Sequence, residues 1–212
     1  MRALLTADGV RLEPENDAEA AELSAWGARL GDHMLMAERH VAGEAMRLTR
    51  LGRRADVCRE PINITSTSPD PAARLMSNFG DASFEMDGEA YRSVESFWQG
   101  LKFSDPLDRR RIAALNGREA QAAGEAKGYG THVTYAGAEI PVGTWAHWQL
   151  MERACRAKFA QCGEARAALL ATGIRPLEHV LPRDSRAIPG VIMAEIWMRI
   201  RRDLQAGTTP EA

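Results

Sequence analysis

This 212-residue chain has few cysteines, a net charge close to zero and no long apolar run, and each of these features argues against a class of protein. The three cysteines, an odd number without a Cys-x-x-Cys pair, predict neither a disulfide framework nor a zinc cluster. A formal charge of -2 argues against binding nucleic acid or membrane through overall electrostatics, but leaves a local basic patch open. No apolar run approaches the ~18 residues of a membrane helix, and the first residues lack the core of a signal peptide. We therefore expect a cytoplasmic protein that does not bind membranes.

Motifs for metal and nucleotide-triphosphate chemistry are also missing. The five histidines show no His-Glu-x-x-His spacing, and no Walker-type glycine–lysine motif occurs. We therefore predict neither a metal nor a cofactor. The apolar content of 45% and the charged content of 26% are those of a soluble globular protein, and the length suits one domain with an appendage.

Residues 1–60 differ in texture from the rest and predict an N-terminal α/β appendage. The expected elements are a hairpin around Asp8-Gly9 and a helix from Asn16 or Asp17 to Leu30 that ends at Gly31. Residues 33–51 fit two strands or pieces of a helix, and strands are favoured. Several arginines then follow closely: Arg47, Arg50, Arg53, Arg54 and Arg59. For this segment a solvated face is favoured over an arm that contacts nucleic acid.

The rest of the chain, residues 61–207, predicts a compact, mainly helical α+β domain with a small antiparallel sheet. Asp87-Gly88 between alternating segments indicates a hairpin, whereas residues 131–144 are expected to form a loose loop. The other predicted elements are a strand in 62–68, helices near 107–115, 118–127, 145–161 and 164–172, a short strand at 176–180 and a last helix opened by Pro189.

Residues 91–103, YRSVESFWQGLKF, predict a short helix with two kinds of face. Four apolar residues at helical spacing form a core-facing stripe: Val94, Phe97, Trp98 and Leu101. Glu95, Gln99 and Lys102 share another edge, with roughly 10 Å of helix rise between Glu95 and Lys102, which suits two long side chains that reach one ligand. Spacing alone favours the alternative, a solvated surface helix capped by Ser93 whose charges suit the helix dipole.

Several ordered motifs within residues 62–205 resemble the NADAR family. They are Ser-Asn-Phe at 77–79, Asp-Gly-x-x-Tyr-x-Ser-x-Glu at 87–95, Gln-x-x-Lys-Phe at 99–103, a tryptophan at 145, Lys-Phe at 158–159 and Leu-Glu-His with a later Asp at 177–184. The resemblance implies a compact, mainly helical α+β fold and cleavage of N-glycosidic bonds. It implies catalysis by Glu95, Lys102 and Asp184, and substrate binding by Asn78, Phe79, Gln99 and Trp145.

Cleavage of a ribosyl C–N bond passes through a state with oxocarbenium character, so it needs an acid for the leaving base and a nucleophile at the anomeric carbon. Glu95 and Asp184 are the candidate carboxylates. Lys102 would attack as a neutral amine and form an imine with the opened sugar, provided that its pKa falls from about 10.4. In the alternative, Lys102 stays charged and holds a phosphate or a hydroxyl group.

A phosphorylated substrate also needs cationic side chains to bind its phosphate. The candidates are Lys158, Arg183 and Arg186. Lys158 falls on the apolar face of the helix near 145–161, where a lysine usually extends its ammonium group to the surface. The alternative is an ammonium group held at the wall of a pocket.

Three functions stay open at this point. The favoured one is an N-glycosidase that removes ADP-ribose from a modified guanine base, either free or in ADP-ribosylated nucleic acid. The second is hydrolysis of ribosylamino-pyrimidine phosphates of riboflavin biosynthesis, with a phosphorylated ribose as substrate. The third is a non-catalytic ADP-ribose-binding module, because the segment after Asp184 lacks the Trp-Gly common in the family.

Overall fold

The computed structural model describes residues 1–6, 9–30, 33–39, 46–53 and 60–207. Backbone contacts divide the chain into two compact units, Met1–Arg59 and Glu60–Ala212. The strand pairs and helices of each unit are formed within that unit.

The described part of the first unit contains two antiparallel strand pairs and one helix. Its elements are β1 (Arg2–Thr6) paired with β2 (Gly9–Glu13), α1 (Asp17–Leu30), and β3 (His33–Arg39) paired with β4 (Met46–Arg53). The predicted hairpin, helix and two strands are confirmed. The predictions for the turn at Asp8, the stop at Gly31, Cys58 and the side chains of the arginine segment lie outside the described residues.

Strands of the second unit pair two by two instead of joining one sheet. β6 (Phe84–Met86) pairs antiparallel with β7 (Glu89–Tyr91), and β8 (His132–Tyr135) does so with β9 (Ala138–Pro141). β5 (Ile62–Asn63) pairs parallel with β10 (Leu177–Glu178), which joins the two ends of the unit. The strand expected over 62–68 is therefore only two residues long.

Two of these pairs are tight hairpins whose turn residues have positive φ. Asp87 and Gly88 have φ values of 53° and 78°, as the sequence predicts for an Asp-Gly turn. Ala136 and Gly137 have φ values of 48° and 78° and form a matching turn between β8 and β9. The prediction of a loose loop over 131–144 is therefore wrong. The hairpin was not predicted because alanine is rarely found in this conformation, so Ala136 gives no standard turn signal.

Helices make up most of the second unit, so the α+β class with a mainly helical domain is confirmed. They are α2 (Pro71–Met76), α3 (Val94–Gly100), α4 (Pro106–Ala113), α5 (Gly117–Lys127), α6 (Trp145–Gln161), α7 (Gly163–Ala171) and α8 (Gly190–Gln205). In the described part of the chain, no helix is both long and apolar enough to cross a membrane.

Helix α3 lies inside the core, packed against α4, α5 and α6. All seven of its residues are buried, so both the apolar stripe and the polar edge are covered. Phe97 is 1% exposed, and Glu95 and Gln99 are each 6% exposed. The surface-helix alternative is therefore wrong, and the polar edge of α3 faces the interior.

Candidate active site around helix α3

Two independent contacts fix where α3 begins. Ser93 accepts a hydrogen bond from the Ser96 amide at 3.1 Å, and Ser96 Oγ accepts one from the Ser93 amide at the same distance, which is a reciprocal N-cap. The amide of Glu95 donates to the carbonyl oxygen of Asn78 at 2.9 Å. The Ser-Asn-Phe segment and the helix therefore hold Glu95 in one position.

Among the described residues, the buried carboxyl group of Glu95 has one hydrogen-bond partner. Gln99 Nε2 donates to Glu95 Oε1 at 2.5 Å across one helical turn. Burial raises the pKa of Glu95 to about 7, the hydrogen bond from Gln99 and the positive charge of Lys102 oppose the rise, and Glu125 adds to it. Near neutral pH this carboxyl can therefore donate or accept a proton, which is the property that general acid–base catalysis requires.

Lys102 follows the end of α3 and is partly buried. Its Nζ donates to the carbonyl oxygen of Gly124 at 2.9 Å and lies 4.1 Å from the centre of the Tyr129 ring. Burial lowers the pKa of Lys102, while the carboxylates of Glu95 and Glu125 favour its charged form. A lowered pKa increases the fraction of neutral amine, the form that acts as a nucleophile.

Three buried polar atoms near these side chains have no hydrogen-bond partner within the described residues. They are Gln99 Oε1, the Tyr129 hydroxyl and His147 Nε2. The aromatic rings of the group pack together: Trp98 stacks on His147 with centroids 4.2 Å apart, and Tyr129 meets both rings edge-on. Because buried polar atoms nearly always have partners, unpartnered ones in one cluster indicate a place for water or a ligand.

Tyr129 and His147 were not predicted from the sequence. Burial lowers the pKa of His147 to about 4, so its ring is neutral at physiological pH, and its Nδ1 accepts a hydrogen bond from the Gly143 amide at 3.2 Å. Burial raises the pKa of the Tyr129 hydroxyl, which is therefore protonated. The only sequence signal for Tyr129 is its place in the Gly-Tyr-Gly loop. Trp98 was predicted to be a core residue, and it is 4% exposed.

Asp184 has a structural position at the start of α8. Its Oδ1 accepts hydrogen bonds from the Ser185 amide at 2.9 Å and the Gly190 amide at 2.8 Å. No hydrogen bond or ion pair joins this exposed side chain to Glu95 or Lys102 among the described residues. The structure thus brings two of the three predicted catalytic residues together and gives the third a different set of contacts.

Lys158 is fully buried and its ammonium group is occupied. Nζ donates to the carbonyl oxygens of Leu75, Met76 and Ser77 at 2.6, 3.2 and 2.7 Å, at the end of α2. Burial lowers its pKa to about 8. Neither sequence interpretation fits, because the side chain reaches neither the surface nor a pocket: all three N–H donors are used to close a helix end, and none is left for a phosphate.

The remaining predicted binding residues lie in different surroundings. The Asn78 side chain is buried, donates to Met193 Sδ at 3.7 Å and accepts a weak bond from Cys155 Sγ at 3.9 Å.

Trp145 is 43% exposed at the first position of α6, with the Arg199 guanidinium 5.7 Å from its ring. Arg183 is exposed in the loop before α8, as is Arg186. Phe79 packs on Gly117, where an added Cβ would lie 2.7 Å from Phe79 Cα.

Comparison with known proteins adds a family and a fold. The family described as Bacteriophage protein GP30.3 matches residues 70–199, which is more than half of the chain. The chain belongs to this family. The GP30.3 match runs from α2 into α8 and includes both Glu95 and Lys102. No curated protein matches the sequence.

A solved structure extends the GP30.3 assignment to a wider fold group. The chain is similar to the NMR structure of the E. coli protein YbiA, with 25% sequence identity and a TM-score of 0.53. The similarity covers 71% of this chain and 88% of YbiA. YbiA is a member of the NADAR family, so this GP30.3 family member has a NADAR-like fold.

Proposed function

We propose that the chain is an N-glycosidase that hydrolyses the C–N bond between a ribose or ADP-ribose group and a nucleobase, with ADP-ribose on a modified guanine as the favoured substrate. The observation that carries the proposal is the buried Glu95 carboxyl, with its pKa raised to about 7, on the same helix edge as a lysine whose pKa is lowered. The NADAR-like fold supports the same class of reaction.

Glu95 supplies the acid of the proposed reaction. Its protonated carboxyl gives the proton to the leaving base as the C1′–N bond breaks, and the electron pair of that bond leaves with the base. The carboxylate that remains is stabilised by the hydrogen bond from Gln99 and by the positive charge that the Lys102 nitrogen gains as it attacks. Negative charge also forms beside a sugar carbon that develops positive charge, which lowers the barrier further.

Lys102 supplies the nucleophile. The neutral amine forms a bond to C1′ as the C1′–N bond to the base breaks, and the attacking nitrogen then gives one proton to the Glu95 carboxylate. The C1′–O4′ bond breaks next, Glu95 returns that proton to O4′, and the opened sugar is left as a protonated imine of Lys102. Water then adds to the imine carbon, and breakage of the C–N bond to the lysine releases the sugar and restores the amine. The carbonyl oxygen of Gly124 and the face of Tyr129 orient the amine before the attack.

The non-catalytic binding module is the second candidate, and two observations favour it. Asp184, the second carboxylate expected at the catalytic centre, is bonded to the backbone at the start of α8. Glu95 is only 6% exposed, so a substrate must reach a nearly closed position. A module of this kind would bind ADP-ribose and leave every N-glycosidic bond intact.

The test offers the purified protein two substrates, DNA that carries ADP-ribosylated guanine and a ribosylamino-pyrimidine phosphate, and identifies the products by mass spectrometry. We expect release of free ADP-ribose from the DNA, and a loss of about 100-fold or more in Glu95→Gln, the usual contribution of a general acid. Glu139→Gln is the matched control, because it makes the same change at an exposed position in β9.

The outcomes separate the three functions. Release of ribose 5-phosphate from the pyrimidine substrate alone would replace the favoured substrate by the riboflavin intermediate. Binding of ADP-ribose without any product would establish the non-catalytic module instead. Equal rates for Glu95→Gln and the wild-type protein would remove Glu95 from the mechanism.

A further inference from the structure

An open cleft of about 450 Å³ lies in the second unit beside the Ser-Asn-Phe segment. Its volume is in the range of small-molecule sites. Six of its lining residues bear on what it can bind: Ser66, Arg74, Phe79, Asp81, Arg92 and Arg118. None of the three arginines was among the candidate phosphate-binding residues.

The cleft has more positive than negative charge. Three guanidinium groups and one carboxylate line it, whereas the whole chain has a formal charge of -2. A concave surface lined by one sign of charge concentrates ions of the other sign. Guanidinium groups match the geometry of phosphate oxygens, so the expected ligand group is a phosphate or a diphosphate.

The three guanidinium groups differ in how firmly they are held. Arg74 Nη1 donates to the carbonyl oxygens of Ser68 and Pro69 at 2.6 and 3.0 Å, which fixes this side chain. Arg92 donates two hydrogen bonds to the Asp81 carboxylate, at 2.9 and 3.2 Å, and these side chains are 46% and 63% exposed, so a bound anion must compete with Asp81 for this guanidinium group. The exposed guanidinium group of Arg118 has no hydrogen bond or ion pair within the described residues.

Helix α5 connects the cleft to Glu95 and Lys102. Gly117 packs on Phe79 at the cleft, and Gly124 packs on Gln99, where an added Cβ would lie 1.8 Å from Oε1. These two glycines are seven residues apart, so they share one face of the helix with roughly 10 Å of rise between them. Lys102 bonds to the carbonyl oxygen of Gly124. One face of α5 therefore runs from the cleft to the partner of Lys102.

We propose that the cleft around Arg74, Arg92 and Arg118 binds the phosphate or diphosphate group of the substrate. Anion binding stands on the cleft alone, and only the direction of the sugar towards Glu95 rests on the proposed function. Phe79 links the cleft to α3, because the next residue towards the N-terminus, Asn78, accepts a hydrogen bond from the amide of Glu95.

Calorimetry with the full-length protein tests this inference, with pyrophosphate, ribose 5-phosphate, ADP-ribose and unphosphorylated ribose as probes. We expect Arg118→Gln and Arg92→Gln to weaken binding of the three phosphorylated probes by about tenfold or more, and ribose to show no binding. Affinity is also expected to fall with added salt. Arg166→Gln is the matched control, because it removes an equal charge from an exposed position in α7.

The outcomes distinguish the cleft from the reaction. Binding that both cleft substitutions weaken, in a protein that cleaves no substrate, would support the cleft and refute the glycosidase. Unchanged affinity in Arg118→Gln and Arg92→Gln would overturn the cleft, whether or not the protein is an enzyme. Unmodified duplex DNA is a fifth probe. If Arg118→Gln and Arg92→Gln lose binding to this DNA while their affinity for the small probes is unchanged, the arginines contact the DNA backbone and the proposed phosphate site is refuted.

Discussion

The free energy of unfolding of Glu95→Gln, measured relative to the wild-type protein, should increase as the pH rises from acidic to alkaline. The side chains have nearly the same shape, but only glutamate must ionise. Burial raises the pKa of Glu95 from 4.5 to about 7, so the folded state holds the proton more tightly than the unfolded state. The contribution of Glu95 to wild-type stability is therefore largest below pH 4.5, falls as the pH rises to about 7, and is constant above that window.

The size of the effect follows from the shift in pKa. A rise from 4.5 to about 7 corresponds to roughly 3 kcal/mol of lost stability once the carboxyl is ionised in both states, at 1.36 kcal/mol per unit. Between about pH 5 and about pH 8 the free energy of unfolding of Glu95→Gln should therefore rise by ~2 to 3 kcal/mol relative to wild type. Other titrating groups, including Lys158, are present in both proteins and cancel in the difference.

Urea denaturation followed by tryptophan fluorescence at the two pH values gives this difference directly. Glu139→Gln is again the control, since it makes the same change at an exposed position. A difference between Glu95→Gln and wild type that is the same at both pH values would refute the reasoning. It would mean that the Glu95 carboxyl titrates as a solvated group and is not poised near neutrality.

Three further substitutions test contacts of the candidate site and its support. Gly124→Ala should lower activity by at least about tenfold and destabilise the fold by ~1 to 3 kcal/mol, because the added Cβ would displace the Gln99 side chain. Gly163→Ala is the control and should do neither, because no atom lies within 4 Å of its added Cβ. Lys158→Met should destabilise by roughly 3 to 5 kcal/mol in thermal or urea denaturation, because three carbonyl oxygens lose their donor; a change under ~1 kcal/mol would contradict the assigned contacts. Tyr129→Phe should leave stability within about 1 kcal/mol, because no described residue forms a hydrogen bond with the buried hydroxyl, but it should weaken ADP-ribose binding in calorimetry. Equal affinity would exclude the hydroxyl from the site.

The shared edge of Glu95 and Gln99 could be predicted from the sequence, since it depends only on spacing within one helix, and Lys102 follows two residues after that helix ends. The burial of this edge could not, because the residues that cover it come from distant segments. Gly124, for example, lies on α5, and its carbonyl oxygen is the partner of Lys102. The pKa shifts depend on this cover, so the chemistry of the edge follows from tertiary packing.

Lys158 shows the same limit of prediction from sequence. Its position on an apolar helix face was correctly identified, but the carbonyl oxygens that it binds end a helix more than 80 residues earlier in the chain. The β8–β9 hairpin was missed because Ala136 occupies a turn position that glycine, asparagine and aspartate usually fill. Tyr129 and His147 meet only through the packing of a loop on α6, which no local pattern encodes.

The chain contains only three lysines, Lys102, Lys127 and Lys158, which makes the covalent step unusually easy to test. Borohydride added during turnover reduces an imine to a stable adduct, and peptide mapping by mass spectrometry then locates it. Lys127→Ala is the matched control, because Lys127 is exposed on α5. We predict an adduct of the sugar on Lys102 alone, absent in Lys102→Ala and present in Lys127→Ala. Product release without any adduct, or an adduct on Lys127, would contradict Lys102 as the nucleophile.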